Sequence, residues 1–100
     1  MKSYKELAAE ALDRFMSAEN TPDVGDLADA YLAFAERDTE TPEEIRAAAC
    51  RNVAEKLESA METAPADKIM GLVFPYIAAR QRAEGTTEGE KEARMVHLAP

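Results

Sequence analysis

The chain has no tryptophan, one cysteine, one histidine and four glycines among its 100 residues. Each scarcity excludes something. A single cysteine, Cys50, cannot close an intramolecular disulfide, which fits a reducing compartment. A single histidine, His97, stands near the chain end with no cysteine close to it in sequence. Metal sites and acid–base pairs need at least one more strong ligand or partner, so His97 reads as an ordinary surface or packing residue. Gly85 and Gly89 belong to no phosphate-cradling loop of the G-x-x-x-x-G-K-[ST] or G-x-G-x-x-G kind, and no G-x-S-x-G elbow occurs. Asp23, Asp26 and Asp29 are spaced by three rather than two, and no bidentate glutamate closes a twelve-residue calcium loop. The expectation is therefore a non-enzymatic protein with no catalytic residues, no cofactor and no metal. No stretch approaches the ~20 apolar residues of a membrane span. Met1-Lys2-Ser3-Tyr4-Lys5-Glu6 lacks the apolar core of a signal peptide, so a cytoplasmic location is expected.

Positive charge is also short. Twelve Lys and Arg stand against twenty Asp and Glu, for a formal net charge of −8. Residues 1–44 hold twelve acids and four bases, and residues 45–100 hold eight of each, so the whole excess lies in the first 44 residues. Direct nucleic-acid binding needs a net basic face, and an anionic membrane surface repels an acidic protein. Neither is expected as a partner. Arg46, Arg51, Lys56, Arg80 and Arg82 are interleaved with acids and alanines and build no unopposed recognition helix.

What is present is helical periodicity. Hydrophobic residues make up 46% of the chain, enough for one domain spanning 1–100 with a modest, alanine-rich core. Thr41-Pro42-Glu43-Glu44 has the form of a capping box, after which Ile45, Ala49, Val53, Leu57, Ala60 and Met61 recur at three- and four-residue steps. This predicts a long central helix over about 42–62, a rod of roughly 30 Å. Ser3-Tyr4-Lys5-Glu6 opens a first helix over about 4–18, with Tyr4, Leu7, Ala8, Ala11, Leu12, Phe15 and Met16 on its inner face. A second helix runs over about 22–37, with Thr21 as its cap and Gly25 weakening its first turn by ~1 kcal/mol relative to alanine. Ile69 to Ile77 is apolar on nearly all sides and is interrupted by Pro75, which predicts either two short helices or one kinked helix. Gly85 stops that segment, and Thr87-Glu88-Gly89-Glu90 starts a short terminal helix that Met95, Val96 and Leu98 dock. The fold class is thus all-α, a single-domain bundle of five to six helices. Its predicted core is Leu7, Leu12, Phe15, Leu27, Tyr31, Phe34, Ile45, Val53, Leu57, Leu72 and Ile77. Cys50, at the border of the long helix's stripe, is expected to be a small buried thiol, although Arg46 and Arg51 stand near it in sequence.

The acidic run carries the functional reading. Asp23, Asp26, Asp29, Glu36, Asp38, Glu40, Glu43 and Glu44 are the candidate partner-binding residues. Aspartates early in a helix also suit its dipole, but Glu36 and Asp38 fall at a helix C-terminus, where anions are disfavoured. Residues three apart drift around a helix, so all eight are not expected to face one way. Acids on a rigid helical scaffold imitate the phosphate row of a nucleic acid and meet the bases of a protein that grips DNA or RNA. The bland alternative is that the charge serves solubility.

A small, acidic, all-helical single domain without catalytic residues resembles the proteins that phages use against bacterial defences. Among these it looks most like the small anti-CRISPR proteins that inhibit the type I-F surveillance complex. The resemblance is one of type: Ser3-Tyr4-Lys5-Glu6 opens the helical body, and Asp23 through Glu44 supply the acidic surface. It carries no functional residue over position by position. It implies a monomeric inhibitor, a DNA mimic, that binds a basic nucleic-acid-handling surface of a CRISPR–Cas complex in the bacterial host and blocks target DNA binding. The rival reading is a helical adaptor or oligomerisation module that uses the apolar 69–77 stretch as its sticky surface.

Overall fold

The computed structural model of the chain describes residues 1–84. These form four helices and no strand: α1 (Tyr4–Ser17), α2 (Val24–Arg37), α3 (Glu43–Thr63) and α4 (Ala66–Ala83). The all-α class and a long helix beginning near Pro42 are borne out, although that helix packs chiefly on α4 rather than at the centre of the bundle. The count of five to six is not, for two reasons. Pro75 does not split α4, which runs through it without interruption. The short terminal helix expected after Thr87, with His97 and the apolar residues around it, lies outside the described residues.

α1 starts as its capping box requires, with the Ser3 hydroxyl accepting the Glu6 N–H at 3.2 Å. Of the other predicted N-terminal caps, the two within the described residues do not form. α2 begins two residues after Pro22, on a turn in which the Val24 N–H reaches the Thr21 carbonyl at 3.1 Å. α3 has Pro42 at its N-cap and no side-chain cap bond, so Thr41 and Glu44 do not close a box.

α1 and α2 form one antiparallel hairpin and α3 and α4 another. Their shared core is Phe15, Val24, Ala28, Tyr31, Leu32, Ala35, Cys50, Val53, Ala54, Leu57, Ala60, Leu72 and Ala79, with Leu12, Leu27 and Phe34 half-buried against it. Two predicted core residues face water instead: Ile45 at 59% exposure and Ile77 at 46%. Ile45 lies about 140° around α3 from Cys50 at ~100° per residue, off the buried stripe. Ile77 stands two residues from both Pro75 and Ala79, hence on the far side of α4 from the face they bury.

Two cations of α3 secure the ends of the first two helices. Lys56 donates to the carbonyls of Phe15 (2.5 Å), Met16 (3.1 Å) and Ala18 (2.6 Å), and its ammonium lies 5.0 Å from the Phe15 ring centroid. Arg46 donates to the carbonyls of Ala35 (3.2 Å) and Asp38 (2.9 Å). Both side chains meet the unpaired carbonyls and the negative dipole end of a preceding helix.

α2 and α4 approach through their glycines. A Cβ on Gly25 would sit 2.3 Å from the Gly71 carbonyl oxygen, so only a hydrogen fits there. That oxygen is the one a helix would ordinarily offer to the N–H of residue 75, and Pro75 has none. The carbonyl freed by Pro75 thus faces the Cα of Gly25. Gly25 is therefore a contact residue rather than a weak first turn.

Candidate functional site

Pairwise contacts fix how α2 and α4 lie. Gly25 meets Gly71, and an equal number of residues further along each helix Glu36 meets Arg82 at 3.8 Å. The two helices therefore run parallel. At ~100° per residue, Asp26 is one step round α2 from the Gly25 edge, and Phe74 is one step back round α4 from the buried Pro75. For parallel neighbours these two turns point to the same side. That side faces away from Val24, Ala28, Ala35, Ala79 and Ala83, which are buried.

On the α2 half of this outer face stand Asp26, Asp29 and Glu36, all exposed and within an arc of about 80°. Partial desolvation of the Asp29 carboxyl against its helix pushes it above the usual aspartate range, and repulsion from Asp26 adds to it. Asp23, exposed, is the N-cap of α2 and makes no side-chain cap bond. Glu40, Glu43 and Glu44 are exposed around the α2–α3 connection and the first turn of α3. Asp38 leaves the surface set: it is 3% exposed, and its Oδ1 accepts the N–H groups of Glu40 (2.9 Å) and Thr41 (3.0 Å). Bonds from Thr41 first, then the N–H groups and the nearby Arg46, hold its carboxyl below the usual range. That answers why an anion stands at the C-terminus of α2: Asp38 shapes the turn into α3. Of the eight candidates, the structure aligns three, leaves four exposed around them and takes one into the fold.

On the α4 half, Met70, Phe74 and Ile77 are 57%, 66% and 46% exposed. Their i, i+4, i+7 spacing makes one stripe along the helix. The opposite face of α4 buries Leu72, Pro75, Ala79 and Ala83. α4 therefore turns Leu72 and three smaller residues inward and three large apolar ones outward. Beside Phe74, Gly71 is exposed, with nothing within 4 Å of where its Cβ would stand. The 69–77 stretch shows this stripe only once the inward set is known, because apolar residues occupy nearly every position of it.

The bases near this face are engaged. Arg82 pairs with Glu36, and Arg80 binds Glu58 (3.2 Å) and the Tyr76 hydroxyl (3.1 Å). Arg37 turns to Tyr4 at 3.3 Å. Cys50 is fully buried against Tyr31, and burial pushes its thiol up and the Tyr31 phenol up with it. Such a thiol is a packing group rather than a nucleophile. A cleft of about 210 Å³ between α1 and α2 is lined by Leu7, Ala11, Leu27, Ala30 and Phe34, with Glu10 and Arg14 alongside. Glu10 is bound to Lys2, so the cleft holds no free acid–base pair of its own. Among the described residues no helix is long and apolar enough to cross a membrane, and no group of three His, Cys, Asp or Glu is placed to hold a metal ion.

No family model, no curated protein and no solved structure matches this chain.

Proposed function

We propose that the protein is a non-enzymatic inhibitor that sets its acidic α2 face on a basic, nucleic-acid-handling surface of another protein complex in the bacterial cytoplasm and keeps nucleic acid out. The observation that carries this reading is the alignment of Asp26, Asp29 and Glu36 on one exposed arc of a helix pinned at both ends. At the N-terminal end α2 is locked against Gly71, and at the C-terminal end Arg46 holds its carbonyls. The carboxylates are thus presented by a rigid element, which lowers the ordering cost of binding. Asp26 and Asp29 repel one another, and a lysine or arginine brought between them relieves that repulsion. Binding of a basic partner should therefore release protons and strengthen as pH rises through the raised Asp29 value. The choice of a type I-F surveillance complex as that partner rests on the resemblance in size, charge and helical content.

The test is a titration of the protein into purified type I-F complex carrying labelled target DNA, followed by fluorescence anisotropy at 50 and 300 mM salt. Displacement at low salt that weakens at high salt is expected. Reversal of the two charges, Asp26→Lys with Asp29→Lys, should restore DNA binding. DNA that stays bound at saturating wild-type protein would remove the CRISPR assignment. The adaptor or oligomer reading is favoured by a different observation, the exposed Met70–Phe74–Ile77 stripe. Light scattering addresses its self-associating form directly.

A further inference from the structure

We infer that the outer face of the α2–α4 pair is a receptor for a basic amphipathic helix presented by the partner, with the partner's apolar stripe on α4 and its lysines or arginines on α2. This rests on the acidic reading above and adds a second recognition element to it. The acid row alone would suit any cation. The apolar stripe alone would suit any greasy surface. Their placement on the same side of two parallel, touching helices asks for both chemistries in one ligand.

Charge decides between the occupants. A second copy seated on this face would bring its own Asp26 and Asp29 to these, and a net charge of −8 to a net charge of −8. An anionic membrane is repelled by the same carboxylates. A helix with an apolar stripe bordered by Lys and Arg satisfies the whole face, in the helix-in-groove mode of recognition. Gly71 gives it a seat: the open space above that glycine, beside Phe74 and next to α2, takes one side chain of the incoming helix. The stripe from Met70 to Ile77 is roughly 10 Å long at ~1.5 Å per residue, so three turns of partner helix cover it. Three side chains about half to two-thirds exposed leave on the order of 300 Å² of apolar surface. This is a fraction of the ~800 Å² per partner of a standard interface, so an isolated helix should bind weakly and transiently.

The probe is a synthetic 18-residue helical peptide with leucines at i, i+3, i+4 and i+7 and lysines along the flanks. Two control peptides accompany it: one with glutamate for every lysine, and one of the same composition in scrambled order. Affinity is read by anisotropy and the footprint by amide chemical shifts of the labelled protein. The lysine peptide should bind with shifts centred on residues 26–36 and 70–77. Both controls should bind at least about tenfold more weakly. Phe74→Ser should weaken the lysine peptide about tenfold with little change in salt dependence, whereas Asp26→Lys with Asp29→Lys should weaken it and abolish the salt dependence. Circular dichroism checks that these surface variants keep the fold. Equal binding of the scrambled peptide, a footprint elsewhere, or a Phe74→Ser variant that binds like wild type would overturn the inference. So would a wild-type dimer in light scattering that Phe74→Ser dissolves, since the occupant would then be a second copy. The two readings fail separately. If Phe74→Ser still displaces DNA fully while the Asp26 and Asp29 reversal does not, the acidic reading stands and the composite face falls. If the peptide results hold and the surveillance complex keeps its DNA, the face stands and the CRISPR assignment falls.

Discussion

Replacing Gly25 by alanine should destabilise this protein, although helix propensity alone predicts the reverse. Alanine in the interior of a helix is worth roughly 0.5–1 kcal/mol over glycine. Against that gain stands the contact with α4, where the new methyl would lie 2.3 Å from the Gly71 carbonyl oxygen and 3.4 Å from a Leu72 methyl. A backbone oxygen cannot rotate away as a side chain can, so α2 and α4 must move apart. A backbone clash this close sits at the upper end of overpacking costs, about 2–3 kcal/mol, leaving a net loss of about 1–2 kcal/mol. For a domain of this size each kcal/mol shifts Tm by about 4–8 °C, so the midpoint should fall by about 5–15 °C. Gly71→Ala is the matched control. Its methyl meets nothing within 4 Å, so the propensity gain stands alone and Tm should rise by a few degrees. A third variant isolates the cause. Pro75→Ala returns an N–H to the Gly71 carbonyl and draws that oxygen back into α4. In that background Gly25→Ala should cost less, with a coupling of ~0.5–1 kcal/mol in the double-mutant cycle. Thermal and urea unfolding followed at 222 nm measure the four variants against the wild type. A Gly25→Ala protein as stable as wild type would refute the close approach of α2 and α4, and with it the argument that both stripes share one face.

Three further outcomes follow from the same contacts. Lys56→Met keeps the aliphatic stem but leaves the α1 carbonyls of Phe15, Met16 and Ala18 without their cation, and should cost about 1.5–3 kcal/mol in urea unfolding with early loss of amide protection at the end of α1. Asp38 has a lowered folded pKa, so its contribution is present above the ordinary aspartate value of ~3.9 and is lost as pH falls through the lower folded value. Asp38→Asn should therefore flatten the fall in stability below about pH 4 in acid titration followed by circular dichroism, and an unchanged acid limb would contradict the assignment. Cys50 should resist iodoacetamide at pH 8 in the folded protein and react fully in urea, because burial both shields the thiol and raises its pKa.

How much of this was legible depended on whether an element buries its large residues. α1 and α3 largely do: Phe15, Val53 and Leu57 sit at zero exposure on the stripes that the sequence displays, with Met16 and Ile45 left outside. α4 buries one, Leu72, and leaves Met70, Phe74 and Ile77 exposed. Its buried face is Leu72, Pro75, Ala79 and Ala83, and helical spacing cannot tell such a face from the larger apolar residues beside it. Spacing therefore puts Ile77 on the wrong side, and it leaves open whether Pro75 splits or kinks the segment, whereas one helix runs through it and the freed Gly71 carbonyl meets Gly25. The acids are legible as a group, and Asp38 stands out within it as an anion at a helix C-terminus. Its spacing to Glu40 and Thr41 is that of an aspartate closing its own turn, a local signal that was available. The roles of Lys56 and Arg46 were not available, because the carbonyls they hold come from other helices.

Those two cations also explain why the outer face is as acidic as it is. The second half of the chain is formally neutral, and a sequence-level balance would let its bases offset the acids of the first half. The fold prevents much of that compensation. Lys56 and Arg46 point at helix C-termini, and Arg80 is held by Glu58 and Tyr76 within the second hairpin. Among the described residues Arg82 is the base that pairs with a carboxylate of α2, and it meets Glu36 at 3.8 Å, a spacing typical of weakly coupled surface pairs. Asp26 and Asp29 keep their charge uncompensated, which is why Asp29 responds to Asp26. The same helix pair that leaves those carboxylates unopposed also leaves Met70, Phe74 and Ile77 uncovered. Gly25, Gly71 and Pro75, with Leu72 against them, let α2 and α4 come close together, while Met70, Phe74 and Ile77 are left outward. The tight crossing and the exposed composite face are thus two consequences of one packing choice, and a substitution that opens the crossing should disturb both stability and partner binding.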